Sequence, residues 1–211
     1  MQYKAKHNLL EELKSLSYFN KEHIFQLGKD AKKYNLKKST VDTYISRFIK
    51  NKEIIPLKRG VYITTDFYNK NKRNTSYLFY LANILRKPSY VSSWTALQYY
   101  NLATEIIHTV HSVTPKVTRD YKIKKVGAFS YQSVKKSLFS NFSLVKNNFE
   151  FFIATPSKAL FDLLYFKTRQ FRSVKFKDIN PMLEDLRIDI AEMDKTERKK
   201  FYLMIKNYMQ I

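Results

Sequence analysis

Nine side chains between residues 37 and 59 carry the positive charges and hydrogen-bonding groups that nucleic-acid binding requires. They are Lys37, Lys38, Ser39, Thr40, Thr43, Arg47, Lys50, Lys58 and Arg59. Cations and hydroxyl groups bind phosphate oxygens, and some of them read base edges in the major groove. Arg47 offers paired donors to guanine, and Thr43 offers a hydroxyl to a base or a methyl group to thymine. The set predicts a surface that binds double-stranded DNA without a metal or a cofactor.

The N-terminal third of the chain contains the elements that would position these side chains. Apolar spacing predicts a helix capped by Asn20, with a helical continuation at 31–34. A turn at 35–38 and a helix that runs to about Asn51 are predicted to follow. Ser39 is the predicted N-cap of this last helix, with Asp42 at its third position. Lys58-Arg59-Gly60 is the predicted turn of a short hairpin. Helix, turn, helix and hairpin in this order are typical of a winged helix-turn-helix.

The helix after Ser39 separates apolar from polar residues. One arc, predicted to pack on the preceding helices, carries Val41, Tyr44, Ile45, Phe48 and Ile49. The opposite side carries Thr40, Thr43, Arg47 and Lys50, with Lys37, Lys38 and Ser39 at the N-terminal end. A basic face of this kind is also compatible with simple solvation, so the order of the elements is what favours DNA binding.

The charge of the chain points to a polyanionic partner. The 211 residues include 39 Lys and Arg against 18 Asp and Glu, a formal net charge of +21. Residues 1–75 hold 17 of the basic and 7 of the acidic side chains. Such an excess favours salt-sensitive binding to nucleic acid. The alternative is a low-GC genome, in which every protein is enriched in lysine. Seven basic residues between Arg119 and Lys146 form a second candidate patch, for which simple solvation is favoured.

The residue types that common enzymes need are missing or badly spaced. The absence of cysteine excludes disulfides, thiol nucleophiles and cysteine-rich zinc sites. Gly28, Gly60 and Gly127 lie far apart, which excludes a glycine-rich phosphate loop. His108 and His111 lie three apart on a predicted strand, so they point to opposite faces and cannot share a metal. We therefore predict a protein that is not an enzyme.

Three further groups of charged residues do not predict a catalytic site. Lys158 and Asp162 lie four apart on a predicted helix, which favours a surface ion pair. Glu197-Arg198-Lys199 resembles the acidic-x-lysine pattern of nucleases, but no aspartate on a preceding strand accompanies it. Asp189 and Asp194 form a candidate carboxylate pair whose separation nothing in the sequence fixes.

The second part of the chain mixes helical and strand-like segments. Residues 66–76 are polar and aperiodic, which predicts a linker between a domain at 1–70 and one at 71–211. The fold class is α+β, with the N-terminal winged helix-turn-helix followed by a mixed α/β C-terminal domain. Helices are predicted to begin at Ser92/Ser93, Thr155-Pro156, Asn180-Pro181 and Asp194. A short strand is predicted at 90–91 and another strand at 149–153. Between them, a strand-like stretch from 106 to 134 contains predicted strands at 108–113, 121–126 and 129–134.

Several stretches together resemble the AbiEi family of abortive-infection antitoxins. The first is LKRGVYI (Leu57–Ile63) in the hairpin, and the second is PSYVSSWTALQYYNL (Pro88–Leu102). Three more follow in the family's order: HTVHSVTPKVTR (His108–Arg119), GAFSYQSVKKSLF (Gly127–Phe139) and IATPSKALFDLLYF (Ile153–Phe166). The last is similar to an Ala-Thr-Pro-Glu-Lys-Ala-Leu-x-Asp-Leu signature, except that serine replaces the glutamate. The resemblance spans about residues 7–166.

The resemblance implies a transcriptional regulator, the antitoxin of a type IV toxin–antitoxin system. Such a protein binds inverted repeats in its own promoter through an N-terminal winged helix. Its functional partner is a nucleotidyltransferase-like toxin, with which it is not assumed to form a stable complex. We expect a cytoplasmic monomer or weak dimer that binds DNA cooperatively and does not associate with membranes.

Other interpretations remain open at the level of sequence. A winged-helix regulator unrelated to any toxin would have the same N-terminal features, and a nucleic-acid-processing enzyme is a further alternative. A protein-binding adaptor would need an apolar outer face, which Thr40, Thr43 and Arg47 oppose. RNA binding through base stacking on the aromatic stretches at 77–80 and 149–152 is a fourth alternative.

Overall fold

The chain folds into two units, each with its own sheet. The computed structural model describes residues 2–30, 37–104 and 108–210. Contacts divide the chain into Met1–Asn74 and Thr75–Ile211. The combination of helices with two sheets confirms the α+β class. The predicted helix continuation at 31–34, most of the turn at 35–38 and the expected start of a strand-like stretch at 106 lie outside the described residues.

The N-terminal unit places a small sheet among helices. In chain order its elements are α1 (Gln2–Leu13), β1 (Phe19–Asn20), α2 (Lys21–Asp30), α3 (Lys38–Lys50), β2 (Ile54–Lys58), β3 (Val61–Thr64) and α4 (Thr65–Asn71). The strands are antiparallel in the order β1-β3-β2. The Asn20 side chain accepts a hydrogen bond from the His23 backbone N–H at 2.9 Å, which confirms the predicted cap of α2.

The core of this unit anchors α3. Leu9 and Leu13 of α1, Ile24 of α2 and Phe48 of α3 are fully buried in one cluster. Side chains of all three helices share this cluster, and α3 packs against it through one side only. Its other side is left for solvent or a ligand.

The predicted linker at residues 66–76 is wrong, because most of it is helical. Thr64 caps α4, its hydroxyl accepting a hydrogen bond from the Phe67 N–H at 3.2 Å. Tyr68 is buried, which ties this short helix to the unit. Because α4 has about two turns and one buried side chain, its sequence shows no apolar periodicity and resembles that of a linker.

The C-terminal unit surrounds a mixed six-stranded sheet with helices. Its helices are α5 (Thr75–Leu85), α6 (Ser93–Tyr99), α7 (Pro156–Lys167), α8 (Ile179–Asp185) and α9 (Lys195–Met209). Its strands are β4 (Tyr90–Val91), β5 (Thr109–Thr114), β6 (Arg119–Ile123), β7 (Gly127–Ser133), β8 (Phe142–Val145) and β9 (Phe151–Ala154). The strand order is β6-β7-β5-β4-β9-β8, with β4–β9 and β5–β7 parallel and the other pairs antiparallel.

Three of the four predicted helix starts of this unit are correct, and two of these three have a side-chain cap. Thr155 caps α7 with Pro156 in the first turn, and Asp194 caps α9 by accepting the N–H groups of Thr196 and Glu197. Ser92 precedes α6, but its hydroxyl makes no cap. The fourth prediction is wrong because α8 begins at Ile179, before Asn180.

Candidate nucleic-acid interface

The first turn of α3 begins two residues earlier than predicted. The helix begins at Lys38, with Lys37 in the cap position in an extended conformation and without a side-chain cap. The Lys37 carbonyl accepts the N–H groups of Thr40 and Val41 at 3.0 and 3.2 Å. Ser39 therefore lies inside the first turn, and its predicted role as N-cap is wrong. Lys37, Lys38 and Ser39 are nevertheless exposed.

The outer face of α3 carries most of the predicted site residues. Thr43, Arg47 and Lys50 are exposed, and Thr40 is half-buried at the border. On the opposite side Val41, Tyr44, Ile45 and Phe48 are buried. The prediction for Ile49 is wrong, because this side chain is 39% exposed. At 100° per residue Ile49 stands about 40° beyond Ile45, which is the nearest edge of the buried arc.

Ser46 belongs to the same outer face and was not predicted. It is exposed and lies three residues after Thr43. The signal that was overlooked is its spacing of seven from Ser39, which places both on one side of a helix. The face is thus richer in hydroxyl groups than the sequence-based set.

Asp42 is the one acidic residue of α3, and α2 supplies a cation beside it. The Lys21 ammonium forms an ion pair with the Asp42 carboxylate, both side chains being partly exposed. A carboxylate at this position would repel phosphate, and Lys21 offsets that repulsion. The pair also joins α2 to the half-exposed flank of α3.

The β2–β3 hairpin carries the other two predicted site residues at its tip. Arg59 is exposed and Lys58 is half-buried at the end of β2. Gly60 has a φ of +78°, a conformation that favours glycine. A Cβ atom at Gly60 would meet nothing within 4 Å, so the requirement for glycine there is conformational and not steric. All nine predicted residues thus lie in the N-terminal unit. Lys37 directly precedes α3, six others lie on α3, and Lys58 and Arg59 lie on this hairpin.

The C-terminal unit contains a buried polar cluster that the sequence did not reveal. Lys158 and Asp162 were predicted to form a surface ion pair, but they are 1% and 0% exposed. The Lys158 ammonium lies 2.7 Å from one Asp162 oxygen. The other oxygen accepts hydrogen bonds from the Tyr90 hydroxyl at 3.0 Å and from the Ser92 hydroxyl at 2.7 Å.

Burial dominates the electrostatics of this cluster. It raises the pKa of the Asp162 carboxyl, while Lys158 and the two hydroxyl groups act in the opposite direction. Burial next to the same carboxylate also raises the pKa of Tyr90. The four groups satisfy one another inside the unit, and we regard them as structural.

The remaining charged candidates are separate from one another. His108 is exposed, whereas the His111 ring lies 3.3 Å from the Thr95 hydroxyl, and its burial lowers its pKa. Glu197 accepts the hydroxyl and N–H of Ser157 at 2.6 and 3.1 Å, which ties α9 to α7. Across residues 2–30, 37–104 and 108–210, no cluster of three or more metal-ligating side chains occurs.

Asp189 and Asp194 serve different short elements. Asp189 accepts the Ala191 N–H at 2.8 Å at the start of a 3-10 turn (Ile190–Glu192), and Asp194 caps α9. Each carboxylate is therefore accounted for by its own backbone contacts.

Comparison of the sequence with models of protein families gives no match, and comparison with curated proteins gives none either. In the part of the chain that the structure describes, each helix is too short or too polar to span a bilayer. The exposed cationic and hydroxyl-bearing side chains of α3 and the hairpin therefore offer the strongest basis for a function.

Proposed function

We propose that this chain is a DNA-binding transcriptional regulator whose N-terminal unit is a winged helix-turn-helix. In this proposal α3 enters the major groove and the β2–β3 hairpin contacts the adjacent backbone. The observation that carries it is the division of α3 into two sides. Thr43 and Arg47 face outward, while Val41 and Phe48 fix the inner side in the core.

The charge distribution supports a polyanionic ligand. Arg47, Lys50 and Arg59 are exposed in the same unit, and the one carboxylate of α3 is paired with Lys21. Contacts to phosphates release condensed counterions, so affinity falls as salt rises. We expect a slope of log K against log salt that corresponds to about 4–8 phosphates per protomer.

Binding to the DNA upstream of the gene tests the proposal. Arg47→Ala should weaken binding by about 5- to 150-fold if Arg47 contacts a base with paired hydrogen bonds. Lys58→Ala with Arg59→Ala should weaken binding to all duplexes and reduce the salt slope by about 1–2. The measurement is fluorescence anisotropy of labelled duplexes at several salt concentrations, with an RNA duplex as competitor.

Lys70→Ala is the matched control for these variants. Lys70 is an exposed lysine of the same unit that pairs with Asp66 on α4, at 2.8 Å. Its removal costs one positive charge, as Arg47→Ala does, without touching α3 or the hairpin, so we expect less than a twofold effect. Unchanged affinity in Arg47→Ala and in the hairpin variant would refute the proposed docking, and preference for the RNA competitor would indicate a different ligand.

The resemblance to the AbiEi family extends the proposal to a type IV antitoxin that represses its own operon. On this view the operator contains inverted repeats, and the chain binds them as a monomer or weak dimer with cooperativity. The C-terminal unit would counteract a nucleotidyltransferase-like toxin without a stable complex. The identity of the adjacent open reading frame tests this extension: a nucleotidyltransferase whose toxicity is relieved by co-expression supports it. An unrelated neighbour leaves a regulator without a toxin.

A further inference from the structure

The outer face of α3 presents a row of hydroxyl groups at its centre. Ser39, Thr43 and Ser46 are exposed, and with Lys50 they fall within an arc of about 60° at 100° per residue. Arg47 lies about 40° beyond the Thr43 edge of this arc. The centre of the proposed recognition surface is therefore formed by small oxygen-bearing side chains, with Lys37 and Lys38 at the N-terminal end of α3 and Arg47 and Lys50 at its C-terminal end.

Two of these hydroxyl groups donate their protons in hydrogen bonds to the helix backbone. The Thr43 hydroxyl donates to the Ser39 carbonyl at 2.9 Å, and the Ser46 hydroxyl donates to the Asp42 carbonyl at 2.9 Å. A hydroxyl group has one proton and two lone pairs. With the proton directed at the helix backbone, each oxygen offers only acceptor lone pairs to a ligand in front of α3.

An oxygen that only accepts can form a hydrogen bond with only two kinds of base group in the major groove. The hydrogen-bond donors there are the N6 amino group of adenine and the N4 amino group of cytosine. Guanine offers two acceptors, and thymine offers one acceptor and a methyl group. Thr43 or Ser46 would have to give up a 2.9 Å bond to the helix before it could donate to guanine or thymine.

We infer that Thr43 and Ser46 select adenine or cytosine by accepting from the exocyclic amino group. This inference rests on the proposed function and names the bases that the site reads. Guanine acceptors in the same half-site are left to the cations Arg47 and Lys50. The Thr43 methyl group remains available for a neighbouring thymine, because the hydroxyl is held toward the backbone.

The test begins with selection of duplexes from a randomised pool by the full chain at low salt. The selected half-site should contain two positions restricted to adenine or cytosine in the strand that faces α3. At each one, adenine is replaced by purine, or cytosine by 2-pyrimidinone, which removes only the amino group. The wild-type chain should lose affinity by about five- to tenfold for each amino group removed.

Matched variants of Thr43 assign the effect to its oxygen. Thr43→Val keeps the shape and removes the acceptor, so its affinity should be the same for the normal and the amino-free duplex at one position. Thr43→Ser keeps the acceptor and should retain the five- to tenfold difference. Ser46→Ala should abolish the difference at the second position, and circular dichroism checks that each variant is folded.

The outcomes separate the inference from the proposed function. Selection of guanine or thymine at these positions overturns the inference, as does an equal response of Thr43→Val and the wild-type chain to loss of the amino group. Both results leave DNA binding intact. Absence of salt-dependent binding to every duplex, by contrast, overturns the proposed function and the inference with it.

Discussion

Replacement of Lys158 by methionine should strongly destabilise the C-terminal unit. Methionine is flexible and apolar and can occupy the volume of the lysine stem, so the variant isolates the loss of the charge. Asp162 is fully buried and would keep only the hydrogen bonds from Tyr90 and Ser92. Removal of one partner of a buried ion pair costs about 3–5 kcal/mol. This is a large part of the roughly 5–15 kcal/mol by which typical domains are stable.

The loss of stability should increase with pH. Burial already raises the pKa of Asp162, and removal of Lys158 takes away an interaction that lowers it. The folded variant therefore holds a proton on Asp162 that the unfolded chain releases above its own pKa of about 3.9. Because the folded state binds more protons, stability falls as pH rises from there to the folded pKa, by up to about 1.4 kcal/mol per pH unit.

Urea unfolding at pH 5 and pH 7.5 measures both effects. The single tryptophan of the chain, Trp94, lies in α6, so its fluorescence reports on the C-terminal unit. Lys167→Met on the exposed end of α7 is the control and should stay within about 0.5 kcal/mol of the wild type. The reasoning is refuted if Lys158→Met costs less than about 1 kcal/mol at both pH values.

Two further predictions concern a cap and an ion pair. Thr155→Ala should lower the free energy of unfolding by about 0.5–2 kcal/mol, because the cap of α7 is lost, and an unchanged urea midpoint would contradict this. Lys21→Ala should weaken DNA binding by about two- to fivefold, because it exposes phosphates to the unpaired charge of Asp42. Addition of Asp42→Asn should restore affinity in the same anisotropy assay, and failure to do so would assign the loss to a direct contact of Lys21.

The inner side of α3 and the hairpin were predicted correctly from apolar spacing and from a turn residue. The spacing of Val41, Tyr44, Ile45 and Phe48 fixes the inner side of α3, because a helix repeats every 3.6 residues. The basic turn ending in Gly60 indicates the hairpin, because glycine adopts a positive φ more readily than other residues. Local cap signals were less reliable. The Ser92 hydroxyl donates to Asp162 and does not cap α6. The start of α3 was misplaced because the prediction relied on a side-chain cap at Ser39, whereas the helix begins at Lys38 without one.

The buried polar cluster shows why spacing alone could not locate every group. A lysine and an aspartate four residues apart have the same pattern on an exposed helix and on a buried one. Burial of α7 depends on β4 and α6, which precede it by more than fifty residues. The partners Tyr90 and Ser92 lie 72 and 70 residues from Asp162, and no local pattern encodes such a distance.

The position of β4 within its sheet has a consequence for synthesis. Val91 pairs with Ser112 on one side and with Ile153 on the other, so one edge of β4 has no partner until residues 151–154 have left the ribosome. The N-terminal sheet is complete by Thr64, and that unit is therefore free to fold first. The second unit cannot complete its sheet until residues 151–154 are made, so slower translation beyond residue 91 would delay its folding and not that of the N-terminal unit.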